Sequence, residues 1–191
     1  MNRRTSLKNI LLFGALGTAS FSVFKWIKLN QPIDPAALQG KRELIAELVE
    51  LIIPTTDTPG AKAAGVHDYI IGVMLNCKGA KEQEKFYNGL TDIEAYTADE
   101  YNQPFLKCTK DQKNAALKYA MDHGEYSNRI LNKINNKLLG QPFFAALKEL
   151  TVQGYCISRT GATEALVYDY IPGTFSACIP IQKNQKSWAT K

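Results

Sequence analysis

Histidine is scarce in this chain: His67 and His123 are the only two in 191 residues, far apart, with no His, Cys or Glu at metal-ligand spacing around either. A zinc centre or a histidine acid–base catalyst needs such company, so both read better as polarity at a helix start (His67, before Asp68) and at a helix end (His123). No Gly-rich phosphate loop, nucleophile elbow or dinucleotide fingerprint occurs. The four cysteines, Cys77, Cys108, Cys156 and Cys178, are too widely spread for an iron–sulfur cluster or a c-type haem, which use short spacings such as Cys-x-x-Cys. Asp92 with Glu94, and Asp99 with Glu100, lie too close together on one helix to face each other across a cleft, and read as a solvated helix face. The chain therefore has no visible active site and no cofactor site of its own. Surplus positive charge is also missing where a nucleic-acid binder would need it. The formal +5 is carried by Arg3, Arg4, Lys8, Lys25 and Lys28, in a leader without Asp or Glu, and beyond Lys28 the charges cancel. Nucleic acid is thus not an expected partner. Finally, no internal repeat occurs, and no alternating run is long enough to demand a sheet.

What is present begins with the leader. Residues 1–28 pair a basic start, containing Arg3-Arg4 with Leu7 and Lys8, with an apolar run from Ile10 to Phe24, which is export grammar. The paired arginines resemble a twin-arginine signal, read by a machinery that moves folded proteins. No clean Ala-x-Ala site follows. Cleavage near Gly17-Thr18-Ala19 and retention as an anchor, with Trp26, Lys25 and Lys28 at the interface, both remain open. Either way the folded domain is expected outside the cytoplasm, in the periplasm, attached to the inner membrane if the leader is kept.

Residues 29–40 read as a polar linker, 41–170 as one helical domain and 171–191 as an extended tail; 45% hydrophobic composition over this length suits a single core. Leu44, Ile45, Leu48, Leu51 and Ile52 form a stripe that Pro54 ends. Asp68 to Leu75 is a second helix, and Phe86, Leu90, Ile93 and Thr97 mark a third, from near Ala80 to the break at Asn102-Gln103-Pro104. Thr109 and Gln112 form a capping box opening a fourth helix, which pauses at His123-Gly124. Ile130, Ile134 and Leu138 place another. Pro142 opens a helix carrying Phe143, Leu147, Leu150 and Gly154, and after a turn at Ser158 to Gly161 a short helix is expected over Ala162 to Tyr168. The fold class is all-α.

An even cysteine count in an oxidising compartment allows disulfides, with three connectivities. Cys77 and Cys156 also fit the part of small buried hydrophobes. Cys178, on the irregular tail, is the cysteine expected to be bonded or exposed. The same tail carries Phe175, Ile179, Ile181 and Trp188, too many apolar residues for a free terminus, so it should lie on its own helices or on a partner.

The segment Leu51-Ile52-Ile53-Pro54-Thr55-Thr56-Asp57-Thr58-Pro59-Gly60-Ala61, continued by Ala64-Gly65-Val66, resembles the signature of the gluconate 2-dehydrogenase subunit 3 family. A second block is similar to that family's C-terminal half: Phe143-Phe144, Leu147, Leu150-Thr151, Gly154-Tyr155, Ser158, Gly161 and Pro172-Gly173, then Cys178, Pro180 and Trp188. The resemblance implies a small, all-helical, non-catalytic subunit of an exported sugar or sugar-acid dehydrogenase. Its partners would be an FAD-holding large subunit of the glucose-methanol-choline type, a cytochrome c subunit with haem c where one exists, and the twin-arginine machinery. Asp57, Pro59 and Gly60 in the turn, with Phe175, Cys178 and Trp188 on the tail, are then the candidate interface residues. A stand-alone exported or membrane-anchored helical binding protein is the competing reading.

Overall fold

The computed structural model describes residues 33–124, 140–171, 173, 178, 180, 181 and 183–189. They are helical: α1 (Pro35–Gln39), α2 (Arg42–Ile52), α3 (Val66–Cys77), α4 (Ala80–Tyr101), α5 (Lys110–Gly124) and α6 (Phe143–Ile157), with a 3₁₀ turn at Phe105–Lys107 and a wide turn of π type at Gly161–Ala165. Among the described residues there is no strand, only one parallel bridge between Val167 and Trp188. The all-α expectation holds. The leader with Arg3, Arg4, Leu7 and Lys8, the helix expected around Ile130, Ile134 and Leu138, and Phe175 and Ile179 of the tail all lie outside the described residues.

Local chemistry sets the helix ends. Asp34 caps α1 by accepting from the Ala36 amide at 2.9 Å, with Pro35 supplying a preset first turn. This short helix falls inside the stretch read as a linker, and its Leu38 is buried in the core. Pro54 stops α2 at Ile52. Gln112 accepts from the Thr109 amide at 2.9 Å and its own amide faces the Thr109 hydroxyl at 3.4 Å, so the capping box opens α5 as its sequence indicates.

α6 is the central element, packing on α2, α3, α4 and α5. Its Leu147, Leu150 and Thr151 share the interior with Ile45, Leu48 and Val49 of α2, Ile70 and Met74 of α3, and Phe86, Leu90 and Ile93 of α4. Thr97 and Thr151 are buried without penalty because each hydroxyl donates to a backbone carbonyl, of Glu94 and Leu147, within its own helix. Phe86 and Phe143 rings meet at 5.2 Å and tie α4 to α6.

Three expectations need correction. Cys77 and Cys156 are exposed, not buried. Cys77 is the last residue of α3, and Cys156 follows buried Tyr155 by one helical step of about 100°, which carries it off the core face. Cys108 is the buried one, its Sγ 3.6 Å from the Pro104 carbonyl, and Cys77, Cys108 and Cys156 are all thiols. The helix expected over Ala162 to Tyr168 is instead the single wide turn, because the Val167 amide is taken by the Ser187 carbonyl at 2.9 Å and so leaves the helical ladder. Glu94, read as part of a solvated face, is half-buried and paired with Lys41.

Charge also ties the elements together. Glu47 of α2 receives Lys113 of α5 at 2.7 Å and Lys62 of the α2–α3 connection at 2.6 Å. The Lys113 hydrogen bond, then that of Lys62, holds the Glu47 carboxyl below its ordinary value despite burial. The stability this confers is fully present above the unfolded carboxylate pKa and is lost as pH falls through the lower folded value. His67 adds acid sensitivity nearer neutrality: burial pushes its imidazole below 6.5, only partly countered by Asp68. Protonation then favours the unfolded chain as pH drops below about 6.5. Thermal melts should therefore fall in two stages on acidification, with His67→Phe removing the upper stage and Glu47→Gln reducing the lower one.

Candidate functional site: the Pro54–Gly60 turn and its surroundings

The turn after α2 is built around Glu50. One carboxylate oxygen accepts from the Thr55 amide at 2.8 Å and the Thr55 hydroxyl at 2.7 Å, and the other accepts from the Lys62 amide at 3.1 Å. Burial pushes this carboxyl up, but the three donors outweigh it and leave it below its ordinary value. The Thr55 hydroxyl also accepts from the Gly60 amide at 3.1 Å, and the Ala61 amide reaches back to the Ile53 carbonyl at 2.9 Å, closing the loop at its base. Gly60 is buried against Glu50, and a Cβ there would overlap the carboxylate. Any side chain at this position must push the Glu50 carboxylate aside.

The second sequence block meets the first here. The Tyr155 hydroxyl of α6 donates to the Pro59 carbonyl at 2.6 Å. One residue earlier, Gly154 lies against Val66 and the Tyr69 ring, so close that a Cβ would stand 2.5 Å from Tyr69 Cδ1. Two segments about a hundred residues apart in sequence thus form one braced junction. Tyr155→Phe keeps the packing and leaves the Pro59 carbonyl without its donor; a loss of about 1 kcal/mol is expected, readable in denaturant unfolding at an unchanged m-value.

Of the residues singled out from sequence, Asp57 is exposed at the tip of the turn. Its carboxyl is held below its ordinary value first by the Thr56 hydroxyl, which donates at 2.9 Å, then by its own backbone amide, with Lys186 of the tail adding attraction. Asp57 is thus bonded within its own turn. Pro59 and Gly60 are internal to the junction. Trp188 is half-buried beside Val167, with the Ala189 amide donating to the Val167 carbonyl at 2.9 Å, and the Lys186 ammonium donates to the Glu164 carbonyl at 2.7 Å. The end of the tail therefore rests on its own domain, near the turn. Cys178 and Ile181 are exposed. Glu50 went unnoticed in the sequence, since it sits in an amphipathic helix where a solvated glutamate is unremarkable.

Among the described residues no group of three or more His, Cys, Asp or Glu could hold a metal ion, and no helix is long and apolar enough to cross a membrane. A groove of about 240 Å³ between α3 and α6 is lined by Tyr69, Val73, Cys77, Lys78, Glu149 and Gln153 among others. Its polar groups are neighbours in ordinary surface pairs: Gln141 donates to Glu149 at 2.8 Å and Lys78 stands 3.6 Å from Glu82.

Glu50, the turn and α6 thus form one braced junction on a helical domain. Residues 39–173 match the gluconate 2-dehydrogenase subunit 3 family, and the chain belongs to it. That membership makes it an accessory subunit of a dehydrogenase. Neither a curated protein nor a solved structure matches the chain.

Proposed function

We propose that this protein is the non-catalytic small subunit of an exported, FAD-dependent sugar or gluconate dehydrogenase. In this reading it stabilises a flavoprotein subunit of the glucose-methanol-choline type and escorts it through the twin-arginine route into the periplasm. FAD belongs to the large subunit and haem c, where present, to a cytochrome subunit that accepts the electrons. The observation that carries the reading is the match over residues 39–173 to a dehydrogenase subunit family, joined to a leader with Arg3-Arg4 that lies before the matched residues. A leader read by a machinery for folded cargo can move a flavin-loaded partner as a passenger, which gives a chain of this kind a reason to be exported.

The test is fractionation after changing Arg3 and Arg4 to Lys. Both this chain and the flavoprotein should be lost from the periplasm, with flavoprotein accumulating in the cytoplasm. Normal periplasmic flavoprotein would defeat the escort role while leaving the subunit role intact. The purified chain alone should show no flavin absorbance and no turnover of sugars or sugar acids with an artificial acceptor; bound FAD with turnover would defeat the non-catalytic reading.

A further inference from the structure

Five of the eight large apolar residues found exposed in the described structure fall between the end of α6 and the tail: Ile157, Tyr168, Tyr170, Ile171 and Ile181. Tyr170 is 84% exposed and Ile171 75%. Exposed hydrophobic residues scattered singly need no explanation, as with Leu106, Met121 and Val152, whereas several exposed within a few residues of one another, as at Tyr168, Tyr170 and Ile171, offer a surface for docking. The backbone that leads into this stretch, up to Val167, is fixed from within. The Leu166 amide donates to the Gly161 carbonyl at 3.0 Å, Val167 is bonded on both sides to the Ser187 and Ala189 backbone, and Lys186 holds the Glu164 carbonyl. Tyr168 to Ile171 follow directly on this anchored backbone, which limits how far they can stray before binding.

We propose that the segment from Tyr168 to Ile171 is the seat of the dehydrogenase's catalytic subunit, with Tyr170 and Ile171 as its anchors. This rests on the accessory-subunit reading above and names the surface that serves it. The occupant follows from two observations. The chain belongs to a family of dehydrogenase subunits, so one of its faces must meet another subunit, and the matched residues run to 173, taking in this segment and leaving out the polar stretch 183–189. Tyrosine and aliphatic side chains together are also the composition of an interface core, where the ring supplies area and the hydroxyl a polar handle. Trp188, an anchor candidate from sequence, instead sits half-buried on its own domain beside Val167.

The test co-expresses the full chain with the dehydrogenase large subunit encoded in the same genome. A photo-crosslinking residue at Tyr170 should capture that large subunit, identified by mass, and one at exposed Asp99 on α4 should not. Tyr170→Asp with Ile171→Asp should leave the melting temperature of the small subunit unchanged, both positions being exposed, and weaken the complex roughly thirtyfold or more. If the parent chain binds the large subunit and the double variant binds it equally, the surface is wrong and the subunit reading stands. If the parent does not bind it at all, the subunit reading falls and this inference with it. A crosslink from position 170 to a second copy of this chain, or to lipid alone, would overturn the assignment in favour of a self-association or membrane face.

Discussion

Phe86→Ala should be the most damaging single truncation in the described core, lowering stability by about 3–5 kcal/mol. The ring is 1% exposed and lies against Phe143, the first residue of α6, at 5.2 Å. Removing it deletes the buried ring and opens a cavity where α4 meets the start of the central helix. Neighbours Met74, Leu90 and Leu147 are themselves fully buried, so little can move in to fill it. For a chain of this size each kcal/mol corresponds to roughly 2–4 °C, so the melting temperature should drop by roughly 6–20 °C. Leu106→Ala, on the adjoining 3₁₀ turn but 45% exposed, is the matched control and should change stability by less than about 0.5 kcal/mol. Equal effects would mean that the α4–α6 contact is not where the stability of the domain resides.

That core was readable in the sequence because it depends on periodicity alone. Phe86, Leu90, Ile93 and Thr97 repeat at three- and four-residue spacing and all four are buried in α4, and Pro54 and the Thr109–Gln112 box are end signals with a direct mechanism. What escaped were features set by contacts distant in sequence. Cys77 and Cys156 stand beside apolar neighbours, yet a step of one residue on a helix turns a side chain from core to solvent. The turn at Gly161–Ala165 replaces a helix because Ser187, twenty residues on, takes the Val167 amide. The family-like segments were visible as two separate blocks, but nothing in either says that the Tyr155 hydroxyl closes onto the Pro59 carbonyl. Tail and turn, read as independent interface candidates, are linked by the attraction of Lys186 for Asp57, while the exposed Tyr170 and Ile171 attracted no notice because exposure is not written in a residue's identity.

Glu50 offers the sharpest test of the turn, because its effect on a second site can be forecast. Glu50→Ala removes the acceptor for the Thr55 amide, the Thr55 hydroxyl and the Lys62 amide. Hydrogen bonds to a charged group contribute about 1.5–3 kcal/mol, and since the donors lie near the surface, where water can replace the carboxylate, a total loss of about 2 kcal/mol is expected. Gly60→Ala acts on the same group from the other side. Its new methyl would overlap the Glu50 carboxylate, and the flexible glutamate, rather than the backbone, is the part that can give way. The carboxylate swings out, and the turn loses the same three bonds, so this variant too should be destabilised by about 2 kcal/mol. Independent effects would sum to about 4 kcal/mol, but with the carboxylate already absent the methyl at position 60 has nothing to displace. The double variant should therefore be no less stable than Glu50→Ala alone, giving a coupling close to the whole of the Gly60→Ala effect. Limited proteolysis supplies a second readout, with cleavage between Thr55 and Lys62 accelerated to a similar degree in both single variants and no further in the double. Additive losses would show that Gly60 is held by something other than its approach to Glu50, and that the junction with Tyr155 persists without the carboxylate at its centre.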